Sequence, residues 1–175
     1  CCVVYFPGST IGNFDPDACE AMLGRMAKMT AGPGGVLIGI DLKKDVAVLE
    51  AAYNDQKGIT RQFNLNILIR ANRELGTDFD LDAFGHRSHF CPMQGCIEMH
   101  LVSLKDQVVQ VGHENFSFAA GESILTERSY KYTVEDFART AGKVGLQLNR
   151  CWTDDADQFG VLYLRRSEQR TANSE

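Results

Sequence analysis

Residues 36–41 have the sequence VLIGID, an apolar run that ends in a carboxylate. A run of this kind is typical of a strand that is buried on both faces of a parallel sheet. A second apolar run, CCVVYF, occupies residues 1–6, and we predict a buried strand there as well. Between the two runs, Asp15 and Pro16 are the residue types that cap a helix and occupy its first position. The order of strand, helix and strand predicts a βαβ unit.

The hydrophobic periodicity changes after this unit. Residues 46–53 and 60–75 have the spacing of amphipathic helices, with Phe63 and Ile67 among the apolar residues that share one side of the second helix. Four later segments alternate like the strands of an antiparallel meander. These segments are residues 86–91, 96–104, 107–111 and 115–120.

The chain ends as it begins, with a pattern typical of a parallel α/β sheet. A helix is predicted from Thr133 to Val144, and strands follow at residues 147–153 and 159–165. The prediction is therefore an α/β fold, the second half of a doubly wound sheet that is interrupted by an insertion. The predicted boundaries are residues 1–49 and 129–166 for the sheet domain, 50–128 for the insertion and 167–175 for a polar tail.

The composition excludes several classes of function. The chain has 18 basic and 23 acidic residues, a formal net charge of -5, so it has no electrostatic reason to bind nucleic acid or an anionic membrane. No apolar stretch is long enough to span a membrane, and no basic segment precedes an apolar one as in a signal peptide. We expect a cytoplasmic protein whose six cysteines are free thiols. We also expect a monomer.

Four residues come nearest to a metal-binding pattern, namely His86, His89, Cys91 and Cys96. Their spacing matches no common zinc site. On a strand, moreover, the two histidines would point to opposite faces. We therefore expect no metal, and a zinc-dependent interaction module stays open as an alternative.

The first residue bears on the extent of the chain. The sequence begins at Cys1 without a methionine, and its first apolar run starts at once. Because chain termini are normally exposed, a buried strand at the terminus is unusual. We expect this chain to be the C-terminal part of a longer protein.

Four segments, in their order and spacing, resemble a known family. They are FPGSTIGNF at residues 6–14, GIDLKKD at residues 39–45, AYND at residues 52–55 with FN at residues 63–64, and AAGESILTERS at residues 119–129. The set resembles the histidine-specific S-adenosylmethionine-dependent methyltransferases, the family of the L-histidine Nα-methyltransferases of ergothioneine biosynthesis. The resemblance extends from residue 1 to about residue 166.

The resemblance implies a fold, a reaction and a cofactor. The fold would be the C-terminal half of a Rossmann-like methyltransferase sheet with an inserted α+β substrate-binding domain. The reaction would transfer three methyl groups, one at a time, from S-adenosylmethionine to the α-amino group of L-histidine, giving hercynine. The family's cofactor motifs have no counterpart in this sequence, so we expect this chain alone to bind S-adenosylmethionine poorly and to be inactive.

The resemblance also implies a site for the amino-acid head group. Asn13 matches the family residue that holds this group, and Tyr53 matches the tyrosine that helps to orient it. Both would be catalytic, since an amide oxygen and a phenol can accept N–H bonds from the neutral amine without adding a cation. Gly8, in the same loop as Asn13, would let the backbone approach the ligand.

A second group of residues would recognise the side chain of histidine. Glu127 and Ser129 match the pair that binds the imidazole, and two residues of separation place them on the same side of an extended segment. Met99 and Phe63 match residues of the pocket wall. A tryptophan or other aromatic amino-acid methyltransferase remains an alternative, as does a non-catalytic protein that binds an amino compound.

Overall fold

The computed structural model describes residues 2–30 and 33–166. Nine strands and four α-helices are found there: β1 (Val3–Phe6), α1 (Pro16–Met29), β2 (Gly35–Asp41), α2 (Val46–Tyr53), α3 (Ile59–Leu75), β3 (Phe84–Cys91), β4 (Cys96–Ser103), β5 (Gln107–Val111), β6 (Glu114–Phe118), β7 (Ser123–Tyr130), α4 (Val134–Lys143), β8 (Leu146–Thr153) and β9 (Phe159–Arg166). Cys1 and the predicted polar tail from residue 167 lie outside the described residues.

The chain divides into two compact units. One comprises the residues up to Lys44 together with those from Ser129 onward, and the other is Asp45–Arg128. The sequence analysis predicted that the insertion starts at residue 50, which lies inside helix α2. The second unit instead begins at Asp45, one residue before this helix. The substrate-binding role of this insertion stays a prediction.

The first unit contains a four-stranded sheet in the order β1-β2-β9-β8. β1 and β2 are parallel, as the predicted βαβ unit requires. β9 is antiparallel to both of its neighbours, so the prediction of a parallel sheet at both ends is wrong for the C-terminal end. The reason is the short connection of residues 154–158, because two strands joined by a tight turn form an antiparallel hairpin.

β1 is less buried than the sequence predicts. It has β2 as its one neighbour in the described sheet, and Tyr5 is 68% exposed. β2 lies between two strands and is buried along nearly its whole length. The prediction of burial on both faces is therefore confirmed for β2 and wrong for β1, because an apolar run does not show how many neighbours its strand has.

Helix α1 begins as predicted. Asp15 accepts a hydrogen bond from the backbone N–H of Ala18 at 2.8 Å, and Pro16 is the first helical residue. The helix packs Leu23 and Met26 into a core that includes residues of β2, β9 and α4. Buried side chains of that core are Ile38, Ile40, Phe137, Leu162 and Leu164.

The second unit packs two helices on one face of the three-stranded sheet β3-β4-β7. Leu49 of α2 contacts Ile97 and Met99 of β4, and Leu68 of α3 contacts Leu101 of the same strand. β5 and β6 form a separate two-stranded hairpin. The predicted meander is therefore wrong as a single sheet, since β4 pairs with β7 and not with β5.

Within the described residues, no helix is both long and apolar enough to cross a membrane.

Candidate substrate site

The loop that follows β1 is tied to the carboxyl end of β2. Gly8 and Ser9 both have positive φ angles, 70° and 54°, a conformation that glycine adopts freely and serine rarely. The side chain of Ser9 compensates, because its Oγ accepts a hydrogen bond from the backbone N–H of Asp41 at 2.8 Å. The chain turn at Gly8 is thus fixed against the neighbouring strand.

A second contact fixes the far end of the same loop. Residues Thr10–Asn13 form a 3-10 turn, and Gly12 lies against the backbone of β7. A Cβ atom on Gly12 would lie 2.9 Å from the carbonyl oxygen of Tyr130, too close for a side chain. Asn13 follows at the end of the turn and is exposed. The loop therefore holds an exposed amide on an anchored backbone.

A buried lysine lies near this strand end, and no pattern in the sequence distinguishes it from a surface lysine. The side chain of Lys131 is 0% exposed, and its Nζ donates to Asp41 Oδ2 at 2.7 Å and to Ser129 Oγ at 2.8 Å. Lys44 Nζ donates to the other oxygen of Asp41 at 2.7 Å. An ammonium group only donates hydrogen bonds. Ser129 Oγ therefore accepts this hydrogen bond.

Asp41 ends a strand, where a Rossmann-like fold commonly places the acidic residue that binds a ribose. Both of its carboxylate oxygens already accept hydrogen bonds from the ammonium groups of Lys44 and Lys131. Asp41 is therefore paired with two lysines at this strand end. The expectation that other residues hold the cofactor stays a prediction.

Tyr53 and Met99 lie together in the second unit. Tyr53 is the last residue of α2, and it packs against the cluster that contains Leu49, Ile97 and Met99. Its carbonyl oxygen lies 2.9 Å from His86 Nε2. Met99 is almost completely buried. The structure thus brings the predicted head-group tyrosine and one predicted wall residue to the same face of β4.

Glu127 lies on β7 and is half-buried. The neighbouring Arg128 donates through Nε to Glu98 Oε1 at 2.9 Å. Thr126, on the other side of Glu127 in the chain, donates through its hydroxyl to the carbonyl oxygen of Met99 at 3.0 Å. Glu127 is therefore flanked by two residues that hydrogen-bond to β4.

Phe63 is not part of the buried face of α3. It is 59% exposed, whereas the buried residues of this helix are Asn64 and Leu68. Asn64 Nδ2 lies 3.0 Å from His86 Nδ1 and donates to the carbonyl oxygen of His100 at 3.2 Å. The predicted apolar side of α3 is therefore confirmed for Leu68 and wrong for Phe63 and Ile67, which are exposed, while the amide of Asn64 is buried with two hydrogen-bond partners.

Comparisons with known proteins show the family of the chain. Residues 2–166 match the family model described as histidine-specific, S-adenosylmethionine-dependent methyltransferase. The chain is 40% identical over 91% of its length to a histidine N-alpha-methyltransferase of Mycolicibacterium smegmatis, and 41% identical over 89% to one of Mycobacterium tuberculosis. These matches cover 50% and 49% of the two relatives, so the chain spans about half of their length.

A solved structure supports the fold. The CcbJ methyltransferase of Streptomyces caelestis superimposes with a TM-score of 0.51 at 14% identity, over 94% of this chain and 60% of that one. Such low identity bears on the fold alone, which is that of a Rossmann-like methyltransferase. The family follows from the sequence matches: this chain belongs to the histidine-specific, S-adenosylmethionine-dependent methyltransferases.

Proposed function

We propose that this chain carries the amino-acid-binding part of an enzyme that methylates the α-amino group of L-histidine three times, giving hercynine. The observation that carries the proposal is the family match over residues 2–166, with 40% identity to a histidine N-alpha-methyltransferase. S-adenosylmethionine supplies an electrophilic methyl group when it is bound. The residues of this chain bind and orient the histidine.

The amino-acid head group is proposed to bind to Asn13 and Tyr53. Methyl transfer needs the neutral amine, because an ammonium has no lone pair, and a free α-amino group has a pKa of about 8. The amide oxygen of Asn13 and the phenol oxygen of Tyr53 can accept its N–H bonds. Anchoring of the loop through Ser9 and Gly12 supports a positioning role for Asn13. Gly8 leaves room for the backbone to approach the ligand.

The imidazole is proposed to bind to Glu127 and Ser129. Glu127 accepts the ring N–H, and the hydroxyl of Ser129 contacts the other ring nitrogen. A neutral imidazole offers one N–H and one lone pair, whereas an indole offers the N–H alone. An indole would therefore leave the serine hydroxyl unmatched, which favours histidine over tryptophan. Met99 and Phe63 are proposed as walls of the ring pocket.

The test is histidine methylation by the full-length protein, with products identified by mass. A hydrogen bond to a charged group contributes about 1.5–3 kcal/mol, so Glu127→Ala should lower kcat/KM for histidine by about 10- to 150-fold. Glu114→Ala is the matched control, because Glu114 is an exposed glutamate of β6 in the same unit. It should leave kcat/KM unchanged.

The same assay separates the alternatives. Unchanged histidine turnover by Glu127→Ala would contradict the proposed imidazole role. Methylation of tryptophan as fast as histidine would favour the broader aromatic amino-acid methyltransferase. Histidine binding without any methylated product would favour a non-catalytic binding protein.

A further inference from the structure

Two histidines and a glutamate meet on the sheet of the second unit. His89 of β3 and Glu98 of β4 are direct cross-strand partners, and His100 lies two residues further along β4. His100 Nε2 is 3.4 Å and His89 Nε2 is 3.8 Å from the same oxygen, Glu98 Oε2. The two imidazole rings are stacked, with centroids 5.3 Å apart. We call these three residues the His–Glu–His cluster.

The cluster lies on the face of the sheet opposite the packed helices. Ile97 and Met99 of β4 contact the helix side chains, so the alternating Glu98 and His100 point the other way. His89 alternates in the same manner with Phe90, which packs on the helix side. The cluster therefore has no part in the proposed histidine pocket, and the inference below does not depend on the proposed methylation.

We propose that the His–Glu–His cluster binds one divalent transition-metal ion, such as Zn²⁺, through His89 Nε2, His100 Nε2 and Glu98 Oε2. Two imidazole nitrogens and one carboxylate oxygen form a ligand set that Zn²⁺ and similar ions accept, with water in the remaining position. The three ligand atoms lie within 4.8 Å of one another.

The distances suit a tetrahedral ion. Bonds of about 2.0–2.1 Å separate the ligand atoms of a tetrahedral site by about 3.4 Å. The observed separations from Glu98 Oε2 are 3.4 Å to His100 Nε2 and 3.8 Å to His89 Nε2. The side chain of His89 is 43% exposed, so its ring has room to turn toward the ion.

The surroundings prepare the ligands. Ser123 Oγ lies 3.4 Å from His100 Nδ1, so it can accept the Nδ1–H and leave the Nε2 lone pair for the metal. Arg128 Nε donates to Glu98 Oε1, whereas the two histidine rings approach Oε2.

Nearby cations limit the expected affinity. Arg128 shares Glu98, and Arg87 lies directly across from His100 in the hairpin. Their positive charges oppose a second cation in the cluster. We therefore expect a dissociation constant in the micromolar range and not the tighter binding of a structural site with several anionic ligands.

The test is titration of the full-length protein with Zn²⁺ and with Co²⁺, which reports its ligands by absorption. We expect a site that depends on the cluster, with Co²⁺ bands of nitrogen and oxygen ligation and no thiolate charge transfer. His89→Ala, His100→Ala and Glu98→Gln should each weaken binding at this site by about tenfold or more. His113→Ala is the matched control, since His113 is an exposed histidine in the β5–β6 turn, and it should change nothing.

Two results would overturn the proposal. One is no saturable Zn²⁺ or Co²⁺ binding by the wild-type protein. The other is binding that His89→Ala and Glu98→Gln leave intact, or that His113→Ala weakens equally. Because the side chain of His89 is largely exposed, His89→Ala should fold normally, which a thermal melt without metal can verify.

Discussion

The ion pair between Asp41 and Lys131 should stabilise the first unit, and its two partners should not contribute equally. The side chain of Lys131 is 0% exposed, whereas that of Asp41 is 21% exposed and also contacts Lys44. Loss of the carboxylate leaves a wholly buried ammonium facing a neutral group. Loss of the ammonium leaves a carboxylate that still has water and Lys44 beside it. Asp41→Asn should therefore destabilise the protein more than Lys131→Met.

The magnitudes follow from the burial of each group. Removing one partner of a buried ion pair costs about 3–5 kcal/mol when the other partner stays buried and charged. In Asp41→Asn the amide oxygen can still accept a hydrogen bond from Lys131, so we expect the free energy of unfolding to fall by an amount near the lower limit, about 3 kcal/mol. Lys131→Met removes hydrogen bonds to a carboxylate that remains solvated, and we expect about 1–2 kcal/mol. The double variant should resemble Lys131→Met, because no buried charge remains.

The assay is urea unfolding followed by the fluorescence of Trp152, the only tryptophan of the chain. Trp152 lies on β8, in the same unit as the ion pair, so its signal reports that unit. The free energy of unfolding follows from linear extrapolation. The reasoning would be refuted if Asp41→Asn lowered the free energy of unfolding no more than Lys131→Met does. It would also be refuted if the double variant were less stable than Asp41→Asn alone.

Three further outcomes are expected. Gly12→Ala should lower histidine turnover by the full-length protein, since its Cβ would lie 2.9 Å from a β7 carbonyl oxygen and the loop would have to move; wild-type kcat/KM would contradict this. Iodoacetamide should modify the exposed Cys2 in the folded protein, whereas Cys19 should react only after unfolding, because it is buried and burial raises the pKa of its thiol. Peptide mass mapping can show which cysteine is modified. Backbone hydrogen bonds, first of all the one from Gln158, lower the pKa of Asp154 in the folded protein, as an NMR titration should show. The ionised carboxylate therefore stabilises the fold above the pKa of the unfolded state, and this stabilisation is lost as the pH falls through the pKa of the folded state. Asp154→Asn should remove this part of the dependence of stability on pH.

Local signals in the sequence were sufficient for most of the secondary structure. Asp15 and Thr133 cap the helices that follow them, each through a side-chain oxygen that accepts a backbone N–H. Gly95 and Gly145 have positive φ angles in a hairpin turn and after a helix, where glycine is the favoured residue. These features depend on neighbours within a few residues, which is why the sequence alone predicts them.

Burial was predicted less well, because it depends on residues far away in the chain. Tyr5 lies in an apolar run but belongs to a strand with one neighbour in the described sheet. Phe63 lies beside Asn64, and the amide is the buried residue of the two because His86 and His100 offer it hydrogen-bond partners.

Lys131 shows the same difficulty in a polar residue. Nothing in its sequence neighbourhood distinguishes it from a lysine at the surface. Its burial is stabilised by Asp41, which lies 90 residues away in the chain, and by the hydroxyl of Ser129. The family resemblance singled out Ser129, but the direction of its hydrogen bond depends on this lysine and became evident only from the fold.

The His–Glu–His cluster could have been found from the sequence by a different reasoning step. The sequence predicted strands that end at Cys91 and begin again at Cys96, and the structure places these two residues directly opposite each other in the β3–β4 hairpin. In an antiparallel hairpin, one known pair of opposite residues determines all the others, because each step back along one strand matches a step forward along the other. Two residues away from the Cys91–Cys96 pair, His89 therefore lies opposite Glu98. A search for metal-binding motifs by residue spacing finds only ligands that lie close together along the chain, on the same strand or helix. In a hairpin the nearest ligands are cross-strand partners, and the register derived from the turn is what identifies them.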